Sequence, residues 1–202
     1  MAFSRPDVSP TGGDPIAHFT EWFREAGEAG IPLAEAMTLA TATAAGAPSA
    51  RTVLLKGVDE RGFLFYTNYE SRKGRELADN PRGALVFHWS ALGRQVRVEG
   101  RVARVSPAES DSYFMTRPRE SRLAAWASPQ SEVVESREAI DERFSELEGR
   151  FRDEEVRRPP FWGGYLLSPE TIEFWQHGEN RLHDRFRYRR LGDAWAVDRL
   201  AP

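Results

Sequence analysis

The chain has 202 residues, 40% hydrophobic and 29% charged, with a net charge of −3 and no cysteine. That size buries a core without staples, and the absence of cysteine excludes disulfides, iron–sulfur clusters, thiolate zinc and a cysteine nucleophile. The near-neutral charge argues against bulk nucleic-acid or membrane binding, no apolar run approaches the roughly 18–20 residues of a membrane span, and the first residues lack a signal or transit pattern, so a cytoplasmic protein is expected.

Residues 1–13 are rich in Pro, Gly and Ser and read as a mobile N-terminal arm, leaving 14–202 as one domain. Asp14 and Pro15 then open a helix whose apolar face is Ile16, Phe19, Trp22, Phe23 and Ala26. A β-rich block follows, with strands predicted at Met37–Thr43, Ala50–Lys56, Gly62–Asn68, Gly83–Trp89 and Arg94–Val105. A short helix, Ser71–Ala78, interrupts it. Two helices, Pro107–Met115 and Pro118–Ala127, are split by a proline that cannot continue the first. A longer helix is predicted over Val134–Arg152, with Ile140, Phe144, Leu147 and Phe151 at helical spacing. Strands return at Gly164–Leu167, Thr171–Gln176, Arg181–Tyr188 and Trp195–Arg199. Meandering strands around a helical insertion predict an α+β domain built on a small antiparallel barrel.

Of the 28 basic residues only two are lysines, Lys56 and Lys73. A chain that otherwise uses arginine retains a compact ammonium where a phosphate or cofactor needs one, or by chance. Arg51 and Lys56 are an odd number of residues apart on a predicted strand, so they face opposite sides and serve different groups, or simply end a buried strand. Ser71 is a natural helix cap, which puts Arg72 and Lys73 in the first turn. Cations there oppose the helix dipole unless an anion shares the terminus; a solvated basic turn is the plain alternative. Arg181, His183 and Arg185 alternate, so one strand face carries all three and suits an anion or a flat ring. Tyr113 and Arg117 lie one helical turn apart, with Ser121 following, and all three donate to phosphate oxygens. No spacing of histidines and carboxylates suggests a metal site.

These stretches, in this order, resemble the pyridoxine/pyridoxamine 5′-phosphate oxidase family of flavin enzymes. The resemblance runs from about Asp14 to Pro202 and is carried by RTVLLK at 51–56, FYTN at 65–68, SRK at 71–73 and RQV at 94–96. It continues through Tyr113 with RPRES at 117–121, Gln130-Ser131, FWGG at 161–164, EFWQ at 173–176, RLHDR at 181–185 and DRLAP at 198–202. It implies a split β-barrel homodimer with FMN at the subunit interface. Arg51, Lys56, Tyr66, Thr67, Arg72, Lys73 and Gln95 would hold FMN from one subunit, and Gln130, Ser131, Trp175 and Arg185 from the other. Lys56, Tyr113, Arg117 and Ser121 would bind the substrate phosphate. Arg181 and His183 would cover the pyridine ring as the catalytic candidates.

The implied reaction oxidises pyridoxine or pyridoxamine 5′-phosphate to pyridoxal 5′-phosphate, with O2 as acceptor, H2O2 as product and ammonia from the amine. Two departures stand out. Family members often carry a basic, tyrosine-containing lid ahead of the first helix, where residues 1–13 hold one basic residue, Arg5; and His177 stands where glycine is common. The nearest rival on the same fold is a phenazine-pathway flavin oxidase, which usually lacks the lysine of the 51–56 motif and the Tyr–Arg–Ser trio. A deazaflavin-dependent reductase and a non-catalytic FMN or pyridoxal phosphate carrier are further readings.

Overall fold

The computed structural model describes residues 13–202, so all of the expected arm but Gly13 lies outside the described residues. Helix α1 (Pro15–Glu28) starts where its sequence dictates: the Asp14 carboxylate accepts from the Ile16 N–H at 2.9 Å, and Pro15 occupies the first turn. Ile16, Phe19, Trp22 and Ala26 are buried on its inner face. Phe19 reaches Phe63 and Phe87 at centroid distances of 4.8 and 4.9 Å, so α1 closes the mouth of the sheet. Each such fully buried large side chain contributes about 1.5–3 kcal/mol.

The sheet is antiparallel throughout. Its strands are β1 (Ala36–Ala42), β2 (Pro48–Leu54), β3 (Gly57–Asp59), β4 (Gly62–Asn68), β5 (Arg82–Trp89), β6 (Arg94–Arg104), β7 (Trp162–Gln176), β8 (Asp184–Leu191) and β9 (Ala194–Arg199). They run in the order β2-β1-β5-β6-β7-β4-β3, and β8 and β9 branch from β7. The result is a curled half-barrel whose concave side holds Phe63, Phe65, Leu85, Phe87, Val96 and Phe174, all fully buried. Helix α2 (Arg72–Asp79) caps one end. Helices α3 (Pro107–Thr116), α4 (Arg119–Ala127) and α5 (Arg137–Arg150) complete the α+β fold.

Several predicted elements are corrected, the first being the strand expected at 50–56: β2 ends at Leu54, so Lys56 lies outside it and has no strand face opposite to that of Arg51. The strands expected at 164–167 and 171–176 are one strand, β7, with a register shift opposite Glu99 and Gly100. Pro169 sits at that irregularity, between the stretch paired with β4 and the stretch paired with β8, where a missing N–H costs no ladder bond. The long helix is shorter than predicted because Ser136 caps it, accepting from the Ala139 N–H at 3.2 Å. The last correction concerns function: β8 begins at Asp184, so Arg181 and His183 precede the strand. They lie in a tight turn with Asn180 and Arg181 at φ of 54° and 64°.

Candidate functional site

The first cluster surrounds the N-terminus of α2. Ser71 caps the helix, accepting from the Gly74 N–H, and Lys73 is buried behind it. The Lys73 ammonium donates to Gln130 Oε1 at 2.9 Å and to the Thr67 and Ser71 hydroxyls at 3.3 Å, all neutral oxygens. Burial, reinforced by the Arg51 charge and opposed by Glu76, lowers its pKa to about 8. Arg51 donates to the Leu39 carbonyl and to Thr41, and its other terminal nitrogen lies 3.3 Å from Glu76 Oε2. The second Glu76 oxygen accepts from Arg72 Nε at 2.9 Å. Three cations therefore share one buried carboxylate, an imbalance that suits a dianion at a helix N-terminus.

The second cluster lies on the convex side of β4. Tyr66 alternates with the buried Phe65 and Thr67, so it faces outward, against α3. Its ring stacks on Tyr113 at 3.8 Å and lies nearly parallel to Trp162 at 5.4 Å. Gly164, opposite Tyr66 in the ladder, leaves that space: a Cβ there would stand 2.6 Å from Val105 and 2.9 Å from the Tyr66 ring. Arg117 ends α3 in extended backbone and places its guanidinium 4.8 Å from the Trp162 ring centroid. Its Nη1 is buried with no hydrogen-bond partner among the described residues, and burial lowers its pKa below the ordinary arginine value. Ser121 is half-buried in α4, and Lys56 is exposed just after β2, its backbone N–H bonded to the Leu64 carbonyl.

The third cluster is a row across the sheet. Gln95 on β6 faces Trp175 on β7, which faces Arg185 on β8. Residues in direct register share a face, so all three point away from Val96 and Phe174 and from the core. The turn between β7 and β8 brings His183 back over this row, its ring 4.6 Å from Trp175. His183 Nδ1 accepts from the Gly178 N–H at 3.1 Å, and Gly178 is packed so closely that a Cβ would stand 2.0 Å from the Leu182 carbonyl oxygen. These closures explain why the predicted alternation of Arg181, His183 and Arg185 on one strand face fails. Arg181 is exposed; its carbonyl accepts from the His183 N–H at 3.0 Å, and its side chain makes no hydrogen bond or ion pair with the described residues.

The grouping differs from the one the resemblance implied. Gln130, expected from the opposite subunit, contacts Lys73 and Thr67 of its own chain, while Gln95 belongs with Trp175 and Arg185. Ser131 is exposed in the same loop as Gln130, at φ 74°. Tyr66 lies opposite Gly164 and Arg185 opposite Trp175, so the two groups are separated along β7 by about 35 Å at the usual strand rise. Sequence reasoning passed over Glu76, Trp162 and Glu173. Glu76 had one signal, its i,i+4 spacing from Arg72, and the other two stood inside quoted motifs without a role.

The fold and these clusters define a class: an α+β half-barrel protein with exposed and buried cations arranged beside aromatic rings. Residues 23–151 match the pyridoxamine 5′-phosphate oxidase family, and residues 162–202 match the pyridoxine 5′-phosphate oxidase C-terminal dimerisation region. A pyridoxine/pyridoxamine 5′-phosphate oxidase of Rubrobacter xylanophilus is 59% identical over 99% of this chain and 93% of its own length. One from a Cyanothece species is 55% identical over 100% of this chain and 93% of its own. Among solved structures, PhzG from Burkholderia lata, in complex with tetrahydrophenazine-1-carboxylic acid, superposes with a TM-score of 0.92 at 32% identity, covering 98% of each chain. A pyridoxamine 5′-phosphate oxidase-related, FMN binding protein from Nostoc punctiforme shares the fold, with a TM-score of 0.73 at 18% identity over 94% of this chain and 99% of that one. The chain belongs to the pyridoxamine 5′-phosphate oxidase family and is an enzyme of the oxidase type. The two matched stretches share one sheet, since β7 pairs with both β4 and β6.

Proposed function

We propose that the protein is an FMN-dependent oxidase that converts pyridoxine or pyridoxamine 5′-phosphate to pyridoxal 5′-phosphate as a homodimer. The observation that carries the substrate assignment is Arg117, whose buried Nη1, beside Tyr113 and the Trp162 ring, has no acceptor among the described residues. A half-buried guanidinium with an unpaired buried Nη1 next to stacked aromatics suits a phosphorylated aromatic ligand. The Lys73 cluster, where an ammonium is held only by neutral oxygens, fits the FMN phosphate in the same way.

Bound FMN supplies the two-electron oxidation at substrate C4′, with O2 as the final acceptor giving H2O2, and water releasing ammonia from the amine. Arg51, Arg72 and Lys73, with the open N–H groups of α2, hold the cofactor phosphate, and Thr67 and Gln130 orient Lys73. Tyr66 lies beside them on β4, and Ser131 beside Gln130. Arg117, Tyr113, Ser121 and Lys56 bind the substrate phosphate. Gln95, Trp175, Arg185, Arg181 and His183 belong to the other half of the site. Their separation along β7 supports delivery by a second copy, as does the match to a dimerisation region. Arg181, whose side chain has no partner among the described residues, covers the substrate ring. Positioning and charge are the protein's contribution, so no single general base is required.

The test is an anaerobic titration of the purified protein with pyridoxamine 5′-phosphate, followed by air. Bleaching of the flavin band, its recovery and formation of pyridoxal 5′-phosphate are expected. The likeness to PhzG favours a second reading, a phenazine-type oxidase. A yellow protein that does not bleach would move the assignment there or to a carrier, and a protein unable to take up FMN would overturn both.

A further inference from the structure

We infer that Glu173 is a positioning residue: together with the carbonyl of Ala201 it clamps Arg185 in the geometry that meets the cofactor. The inference rests on the reading that Arg185 contacts FMN. Glu173 lies on β7 with only 8% of its surface exposed, on the same outward face as Trp175. In the ladder it stands directly opposite Arg97 on β6 and Arg187 on β8. Its strongest contact is diagonal. Oε1 accepts from Arg185 Nε at 2.9 Å and stands 2.9 Å from Nη2, while Oε2 is 3.5 Å from Arg97 Nη1. Arg187, the direct neighbour, turns instead to Asp198 at 3.1 Å.

The other side of the clamp is the chain's C-terminal segment. The Leu200 N–H bonds to the Arg185 carbonyl at 2.9 Å, which docks residues 200–202 alongside the start of β8. The Ala201 carbonyl then accepts from Arg185 Nη1 at 2.9 Å. All three guanidinium nitrogens thus have an acceptor, and each terminal nitrogen keeps one further N–H. A long arginine side chain is ordinarily mobile. Held from two sides by a buried carboxylate and a backbone carbonyl, it meets a ligand already oriented, which removes the ordering cost from binding.

A general loss of packing and a loss acting through Arg185 make different demands on a double-mutant cycle. FMN dissociation constants are measured on full-length apoprotein by flavin fluorescence for wild type, Glu173→Gln, Arg185→Met and the double variant. Glu173→Gln is expected to weaken FMN binding about tenfold in the wild-type background and less than about twofold when Arg185 is already Met. In parallel, the 15N-resolved Arg185 Nε–H signal, assigned by its loss in Arg185→Met, is expected to be protected from exchange in apoprotein and to lose that protection in Glu173→Gln. An unchanged FMN affinity in Glu173→Gln, or an equal loss in both backgrounds, overturns the inference while leaving the oxidase reading intact. Failure of the wild-type protein to bind FMN overturns both.

Discussion

Tyr66 on β4 and Tyr113 on α3 stack face to face, their ring centroids 3.8 Å apart and their planes 13° from parallel. The contact joins the strand that leads into the cation cluster at α2 to the helix that ends at Arg117. A double-mutant cycle with Tyr66→Leu and Tyr113→Leu is expected to give a coupling of about 0.5–1.5 kcal/mol in urea unfolding. Strictly additive losses would mean that the stack joins the two elements in space but not in energy.

Glu76 holds Arg51 and Arg72 with its two oxygens, and also accepts from Ser49 Oγ at 2.6 Å and from Thr41 Oγ1. Burial alone would raise its pKa, but the hydrogen bonds from Ser49, Thr41 and Arg72 bring it down from 4.5 to about 2. Between those values the unfolded chain binds a proton that the native state refuses. Stability therefore falls as pH drops from about 4.5 towards about 2. Glu76→Gln is expected to make that fall shallower when unfolding midpoints are compared at about pH 5 and about pH 3. Glu76→Ala, which removes the buried carboxylate that Arg51, Arg72, Ser49 and Thr41 share, is expected to cost about 3 kcal/mol at neutral pH.

Lys73 shifts in the same direction for a different reason, since burial disfavours its charged form. With a native pKa of about 8 against an ordinary 10.5, the unfolded chain holds the extra proton between those values, so apoprotein stability rises with pH across that window. Anion affinity runs the other way, because the neutral amine no longer attracts a phosphate. FMN uptake is expected to weaken as pH passes about 8, and Lys73→Met should bind weakly at every pH without that step. A wild-type profile flat from about pH 7 to about pH 9 would remove Lys73 from the phosphate site.

Arg117→Met is expected to lower kcat/KM for pyridoxamine 5′-phosphate by about 10–100-fold, mainly through KM, with the flavin content unchanged. Steady-state kinetics together with the flavin-to-protein absorbance ratio checks it. Loss of the flavin instead would place Arg117 on the cofactor rather than on the substrate.

Much of the fold is legible in the sequence alone. Asp14-Pro15 and the spacing of Ile16, Phe19, Trp22 and Ala26 fixed α1 and its buried face, because a cap and a 3.6-residue period are local properties. Ser71 marked the start of α2; the scarcity of lysine singled out Lys56 and Lys73, of which Lys73 is buried among neutral oxygens and Lys56 is exposed. The break at Arg117-Pro118 also fell where proline demands it.

What the sequence could not decide was partnership between distant residues. The alternation of Arg181, His183 and Arg185 reads as a strand, but Gly178 and the hydrogen bond to His183 Nδ1 close a turn that no two-residue period reveals. The irregularity at Pro169 changes which parity of β7 faces outward: Gly164 and Leu166 before it, Glu173 and Trp175 after it. A one-residue shift of that kind inverts every following side chain, so only the closed sheet sets Glu173 beside Arg185 and Gln95 beside Trp175. Residue types, caps and local periods are thus written along the chain. Register and the pairing of charges far apart in sequence arise when β7 joins β4, β6 and β8 in one sheet.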